Sequence, residues 1–259
     1  MTIRYAPAKL VIVTVPKSGS TTLIAAFLML VGVVKENPRQ FLRSPESITL
    51  FQQHGLEIKP MSASDIKRLQ EEFRDFYFVT VMRDPAQRLL SGYLNKINRY
   101  CKRFALPIYL WGRLRQLFSN PSLWGDINCC NRYMRQFLSF EAFVAGLERH
   151  GIGWDSHFAL QTEASAAGLI NFQEVIHLEA LDSALADLLA RRGVERKILE
   201  PLKDMPHLNV TDDDDRQSLL TDSMKKRIAS LYKRDYDFLR RFHNGLDSEN
   251  PNPISGALN

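Results

Sequence analysis

LVIVTVPKSGSTTLIAAFLMLVGVV, residues 10–34, holds the strongest structural signal in this chain. Its first part, residues 10–15, is short, apolar and rich in β-branched side chains, which is typical of a buried parallel strand. Its last part, residues 23–34, is long enough for a buried helix. The polar residues between them contain one glycine, Gly19, and one lysine, Lys17. The segment therefore predicts a strand, an anion-binding loop and a helix whose N-terminus faces the bound anion.

The loop has the composition that a phosphate or sulfate group requires. Gly19 lets the backbone approach the anion, and Lys17 adds a point charge. The same anion is predicted to contact four hydroxyl groups, those of Ser18, Ser20, Thr21 and Thr22. A nucleoside-triphosphate P-loop would need its lysine after the second of two glycines, so Lys17 argues against ATP or GTP.

A second motif, RDPAQRLLSGY at residues 83–93, follows a strand-like run at residues 76–82. Asp84 can cap a helix that has Pro85 at its first position, so the strand passes almost directly into a helix. Arg83 then lies at the end of the strand and Ser91 two turns along the helix, near the edge where open α/β sheets bind ligands. A guanidinium and a hydroxyl at that edge suit a phosphomonoester.

Both motifs resemble those of sulfotransferases, which use 3′-phosphoadenosine 5′-phosphosulfate (PAPS) as donor. Residues 16–22 resemble the 5′-phosphosulfate loop, and residues 83–93 resemble the 3′-phosphate segment. The carbohydrate branch of the Golgi-membrane type is the most similar, and the chain is interpreted as a soluble bacterial member or an excised domain. Ala86 and Gln87 depart from that branch. The resemblance implies an α/β, P-loop-like fold of three layers, with a central parallel sheet flanked by helices.

Composition and length indicate one sulfotransferase domain over residues 1–244, followed by a disordered tail at 245–259. The chain has 259 residues, of which 45% are hydrophobic. Residues 99–135 mix basic with aromatic side chains and are predicted to form an acceptor-binding insertion. A helical pair with a solvated basic face is the alternative. Peripheral docking on an anionic membrane through residues 106–117 also stays open.

Charge, cysteine content and hydropathy restrict the partners and the compartment. The net charge of +5 is explained by an anionic donor and requires no nucleic acid. Three cysteines form neither a disulfide framework nor a zinc motif. Without a signal peptide or a membrane-spanning run the sequence predicts a cytoplasmic protein, or a lumenal Golgi domain if it was excised. It does not fix the oligomeric state.

The resemblance implies transfer of the sulfuryl group to a hydroxyl of a carbohydrate, a glycolipid or another small acceptor, without a metal. Adenosine 3′,5′-bisphosphate is the product, and Lys17 stabilises the leaving oxygen. His54, between the two motifs, is the first candidate for the general base, and His157 is the second. Asn209 is predicted to contact the nucleotide. The alternatives are a non-catalytic nucleotide-binding or interaction protein and, with less support, a P-loop-like kinase.

Overall fold

The computed structural model describes residues 1–34, 37–96, 139–153, 155–204 and 218–243. The chain divides into two compact units. The first comprises Met1–Asp84, Leu160–Val210 and Arg234–Asn259, and the second comprises Pro85–Ala159 and Thr211–Lys233. The predicted insertion at 99–135 and the predicted tail at 245–259 lie outside the described residues. The single domain over 1–244 stays a prediction.

The first unit contains a five-stranded sheet in its described part. Its strands are β1 (Thr2–Tyr5), β2 (Leu10–Thr14), β3 (Leu56–Lys59), β4 (Tyr77–Met82) and β5 (Glu174–His177), in the order β3-β1-β2-β4-β5. β2, β4 and β5 are parallel, whereas β1 is antiparallel to both of its neighbours. The predicted α/β fold is thus confirmed, and its sheet is mixed because a short 3₁₀ turn at Ala6–Ala8 returns the chain directly from β1 to β2.

Helices occupy most of the remaining described residues. They are α1 (Ser20–Leu30), α2 (Pro38–Phe41), α3 (Pro45–His54), α4 (Ala63–Glu72), α5 (Pro85–Gly92), α6 (Phe140–His150), α7 (Gln161–Ala164), α8 (Leu181–Arg191), α9 (Arg196–Leu199), α10 (Asp222–Leu231) and α11 (Lys233–His243). Ser62 caps α4 in a capping box with Asp65. Within the ranges that the structure describes, none of these helices has the length and apolar character needed to cross a bilayer.

Helix α1 is shorter at its C-terminus than the apolar run predicts. It ends at Leu30, and Gly32 follows with a φ of 78°. Such a left-handed backbone is accessible to glycine and terminates helices. The apolar residues beyond Gly32 therefore do not extend the helix.

The sheet of the first unit is covered on both faces. Leu10 and Ile12 of β2 face one apolar cluster, which includes side chains of α1 and α8. Val11 and Val13 face the other, which includes side chains of α4 and α11. A central strand buried on both sides explains why residues 10–15 form a continuous apolar run instead of alternating. The first unit therefore has the three predicted layers.

The second unit has an aromatic core. Tyr93 follows α5, and its ring centroid lies 5.2 Å from that of Phe140 and 5.3 Å from that of Phe143 on α6. The ring centroid of Phe143 in turn lies 5.0 Å from that of Phe158. The Tyr232 hydroxyl donates a 2.6 Å hydrogen bond to the carbonyl oxygen of Phe158. These contacts fix the loop that precedes Ala159 against the helices of its own unit.

Candidate active site

The predicted anion-binding loop joins β2 to α1 in the first unit. Two of its residues have left-handed backbones, Lys17 with a φ of 70° and Gly19 with a φ of 73°. A Cβ atom on Gly19 would lie 2.3 Å from Cδ1 of Leu178, so the leucine side chain would have to move, and the left-handed backbone itself favours glycine. For a lysine the same backbone costs about 1 to 3 kcal/mol, and such strain concentrates at functional sites.

Helix α1 begins directly from this loop. Gly19 is its N-cap and supplies no capping side chain. The first-turn N–H groups therefore lack an acceptor within the helix and point out of its N-terminus. Ser20 and Thr22 are buried residues, whereas Thr21 is half-buried. A helix N-terminus of this kind attracts anions through its N–H groups and its dipole.

The second motif reaches the same edge of the sheet from the neighbouring strand. β2 and β4 are parallel, and Thr14 is in register with Val81. Their carboxyl ends therefore lie side by side, and Arg83 follows β4 at that edge. The Nε atom of Arg83 lies 3.5 Å from Oε1 of Glu179, whose side chain is about half exposed (53%). Arg83 is thus positioned within the first unit beside the loop that joins β2 to α1.

One buried side chain that sequence reasoning missed connects the loop to Arg83. Gln161, at the start of α7, is fully buried (0% exposed). Its Oε1 accepts a 2.9 Å hydrogen bond from the Ser18 hydroxyl and a 3.0 Å hydrogen bond from the backbone N–H of Arg83. Its Nε2 donates to the backbone carbonyl of Arg83 at 2.8 Å. The hydroxyl of Ser18, which was predicted to contact the anion, therefore donates its hydrogen bond to Gln161.

Gln161 is itself held by Asp235 of α11. The Asp235 carboxylate is buried and accepts hydrogen bonds from the backbone N–H groups of Gln161 (2.8 Å) and Thr162 (3.0 Å). It also accepts one from the Thr162 hydroxyl at 2.8 Å. A carboxylate with three donors is a rigid anchor in a region without solvent. No local pattern of the sequence marks this contact, because 74 positions separate the two partners.

The rest of the second motif lies on α5 in the second unit. Ser91 is half-buried there. Arg88, three residues before Ser91 on the same helix, is almost wholly buried and donates to the carbonyl oxygens of Ala159 (2.7 Å) and Ser156 (3.1 Å). Arg88 therefore stabilises the loop before Ala159, a role that its place in the motif did not reveal.

One of the two histidine candidates forms a pair with a carboxylate. Nδ1 of His157 lies 2.7 Å from Oδ1 of Asp155, and the same oxygen accepts the backbone N–H of His157. The hydrogen bond from the His157 side chain holds the pKa of the Asp155 carboxyl below its ordinary value, although burial opposes the shift. Nearby Lys96 also lowers the pKa. An ionised carboxylate at Nδ1 favours the proton there, which leaves Nε2 able to accept one.

The other candidates are differently placed. His54 is the last residue of α3 and is exposed. Asn209 lies outside the described residues. Among the residues that the structure does describe, no three or more His, Cys, Asp or Glu side chains are grouped to hold a metal ion.

Comparison with known proteins places this chain in a family. No curated protein and no solved structure matches the chain significantly. The family model described as "Sulfotransferase family" does match, over residues 3–240, and covers both motifs. The chain therefore belongs to the sulfotransferase family, and it is an enzyme of the PAPS-dependent type.

Proposed function

We propose that this enzyme transfers the sulfuryl group of PAPS to a hydroxyl of a carbohydrate, a glycolipid or a related small acceptor. The observation that carries the donor assignment is the contact of Gln161 with both Ser18 and Arg83. This contact links the loop after β2 to the residue after β4, as a donor with two anionic ends requires. The carbohydrate acceptor is supported by the resemblance of residues 83–93 to the carbohydrate branch.

The loop and α1 are proposed to bind the 5′-phosphosulfate. Backbone N–H groups at the start of α1 and the hydroxyls of Ser20, Thr21 and Thr22 surround the anion, and Gly19 permits its close approach. Lys17 carries the charge that stabilises the bridging oxygen as it becomes part of the leaving phosphate. Because that charge develops in the transition state, Lys17 contributes more to turnover than to donor binding.

Arg83 and Ser91 are proposed to bind the 3′-phosphate, with the role of Ser91 resting on the sequence motif. The guanidinium can donate two parallel hydrogen bonds to phosphate oxygens. The Glu179 carboxylate, 3.5 Å from Nε of Arg83, forms an ion pair with the guanidinium. Asn209 is proposed as a further nucleotide contact on sequence grounds alone.

We propose His157 as the general base, with Asp155 as its positioning residue and His54 as the alternative. The acceptor hydroxyl gives its proton to Nε2 of the imidazole while its oxygen forms the new bond to sulfur. The bond between sulfur and the bridging oxygen breaks, and the electron pair stays on the leaving bisphosphate. Asp155 supports the imidazolium that forms, as a carboxylate does in other catalytic pairs.

The loop roles are tested by the kinetics of Lys17→Ala and Arg83→Ala. We expect Lys17→Ala to lower kcat far more than donor affinity, and Arg83→Ala to raise the donor KM instead. Lys9→Ala is a matched control, because Lys9 also has a left-handed backbone (φ 45°) but precedes β2 at the opposite edge of the sheet. Its kinetics should equal those of the wild type. The reverse pattern for Lys17 and Arg83 would exchange their roles.

The base is tested by His157→Ala and His54→Ala under the same conditions. Loss of a general base costs about a hundred- to ten-thousandfold in rate. We expect this loss in His157→Ala, with binding of adenosine 3′,5′-bisphosphate retained, and little change in His54→Ala. If His54→Ala is inactive and His157→Ala is not, the base is His54.

A further inference from the structure

We propose that Gln161 is a positioning residue that fixes the spacing between the two phosphate-binding sites of the donor. Its single carboxamide contacts the loop through Ser18 and the end of β4 through Arg83. The inference rests on the proposed function, in which the loop binds one end of the nucleotide and Arg83 the other.

The orientation of the amide is determined by its partners. Oε1 faces two donors, the Ser18 hydroxyl and the Arg83 N–H, and Nε2 faces one acceptor, the Arg83 carbonyl. If the amide were flipped, its NH₂ group would face the N–H of Arg83, and both groups are donors. Its oxygen would face the carbonyl oxygen of Arg83, and both atoms are acceptors. Because Gln161 is fully buried, water cannot replace any of these bonds. The amide is therefore held in one conformation.

The backbone of Gln161 is fixed as firmly as its side chain. Its N–H donates to the buried Asp235 carboxylate, which also receives both donors of Thr162. The amide therefore does not depend on the loop for its own position. It can impose a position on Ser18, and through Ser18 on the loop that contains Lys17.

A fixed spacing matters only for a ligand that engages both sites. The second phosphate of adenosine 3′,5′-bisphosphate (PAP) binds at an effective concentration set by how well the two sites match its length. Adenosine 5′-monophosphate (AMP) engages the loop alone and is indifferent to that spacing. The ratio of the two affinities, PAP over AMP, therefore measures the function of Gln161 and does not respond to a general loss of stability.

The test is calorimetry with PAP and with AMP on the wild type, Gln161→Leu, Ser18→Ala and the double variant. The wild type should prefer PAP by about tenfold or more, since the 3′-phosphate adds charge-assisted hydrogen bonds. We expect this preference to fall by about fivefold or more in Gln161→Leu and by about twofold or more in Ser18→Ala. Ser18→Ala removes one hydroxyl only, so it decides the question if Gln161→Leu does not fold.

The double variant separates positioning from direct contact. If Ser18 acts through Gln161, Ser18→Ala causes no further loss once Gln161 is leucine. If Ser18 binds the donor directly, Ser18→Ala weakens PAP and AMP equally and adds to Gln161→Leu. That result, or an unchanged preference in Gln161→Leu, would overturn the inference.

Gln70→Leu is a matched control. Gln70 pairs with the backbone of Asn171 in the same two-way manner, at 2.9 and 3.1 Å, but on α4. Its preference for PAP should equal that of the wild type. Equal wild-type affinities for PAP and AMP would instead overturn the phosphate assignments themselves, and the inference with them.

Discussion

Asp235→Ala should be among the most destabilising single substitutions in the first unit. The carboxylate is fully buried and accepts three hydrogen bonds, two from backbone N–H groups and one from the Thr162 hydroxyl. Alanine would leave all three donors without an acceptor and without access to water. Gln161 would lose the anchor of its backbone at the same time.

The magnitude follows from the number and type of these bonds. A hydrogen bond to a charged group contributes about 1.5 to 3 kcal/mol, so three bonds contribute about 5 to 9 kcal/mol before other effects. The alanine variant avoids the desolvation cost of a buried carboxylate, which offsets several kcal/mol of this loss. We therefore expect a net loss of about 3 to 5 kcal/mol in the free energy of unfolding. Asp235→Asn keeps one acceptor oxygen and should lose about half as much.

Urea unfolding followed by circular dichroism measures the loss, and Asp237→Ala is the matched control. Asp237 lies on the same helix, α11, but forms an exposed ion pair with Arg240. Exposed pairs contribute about 0 to 1 kcal/mol, so this variant should unfold close to the wild type. A loss below about 1 kcal/mol in Asp235→Ala, or equal losses in both variants, would refute the reasoning.

Three further results are expected. Gly19→Ala should bind PAP about tenfold more weakly or worse in calorimetry, because its methyl group would meet Leu178 and its backbone is left-handed; unchanged affinity would contradict this. The hydrogen bond from His157 lowers the pKa of Asp155 in the folded protein. The ionised carboxylate therefore stabilises the fold at pH values above its unfolded pKa, and this stabilisation is lost as the pH falls through the lower folded pKa. Asp155 therefore stays ionised wherever a free aspartate is ionised, so an acidic limb of kcat in that range does not report its protonation and should persist in Asp155→Asn; loss of the limb in this variant would contradict the assignment. Arg88→Met should lower the free energy of unfolding by about 2 to 4 kcal/mol, since the carbonyl oxygens of Ala159 and Ser156 lose a charged, buried donor, and a loss within error of zero would contradict this.

The secondary-structure elements that carry the two motifs could be predicted from local sequence patterns. The apolar runs around residues 16–22 predicted a strand, a loop and a helix, and β2 and α1 have these positions. The strand before Arg83 and the helix after it were also predicted, and β4 and α5 confirm them. Each of these elements has its own periodicity, cap or glycine, so its type can be inferred without knowledge of its partners.

The contacts that organise the site could not be predicted in this way. Gln161 and Asp235 are partners only because α7 and α11 meet in the folded unit, and neither residue type is unusual in its own segment. Arg88 lies three residues before Ser91 in the motif, but its guanidinium is buried and donates to backbone carbonyls. Long-range pairing of polar groups follows from the tertiary fold and leaves no period in the sequence.

Transfer of radiolabelled sulfuryl groups to a panel of glycans, glycolipids and small hydroxyl acceptors tests the central claim most directly. PAPS is compared with adenosine 5′-phosphosulfate, which lacks the 3′-phosphate, and labelled products are identified by mass spectrometry. We predict transfer from PAPS to at least one carbohydrate hydroxyl, with kcat/KM about tenfold or more lower for the shorter donor, because Arg83 then has no phosphate to bind. Tight binding of PAP without transfer to any acceptor, or equal use of both donors, would contradict the account.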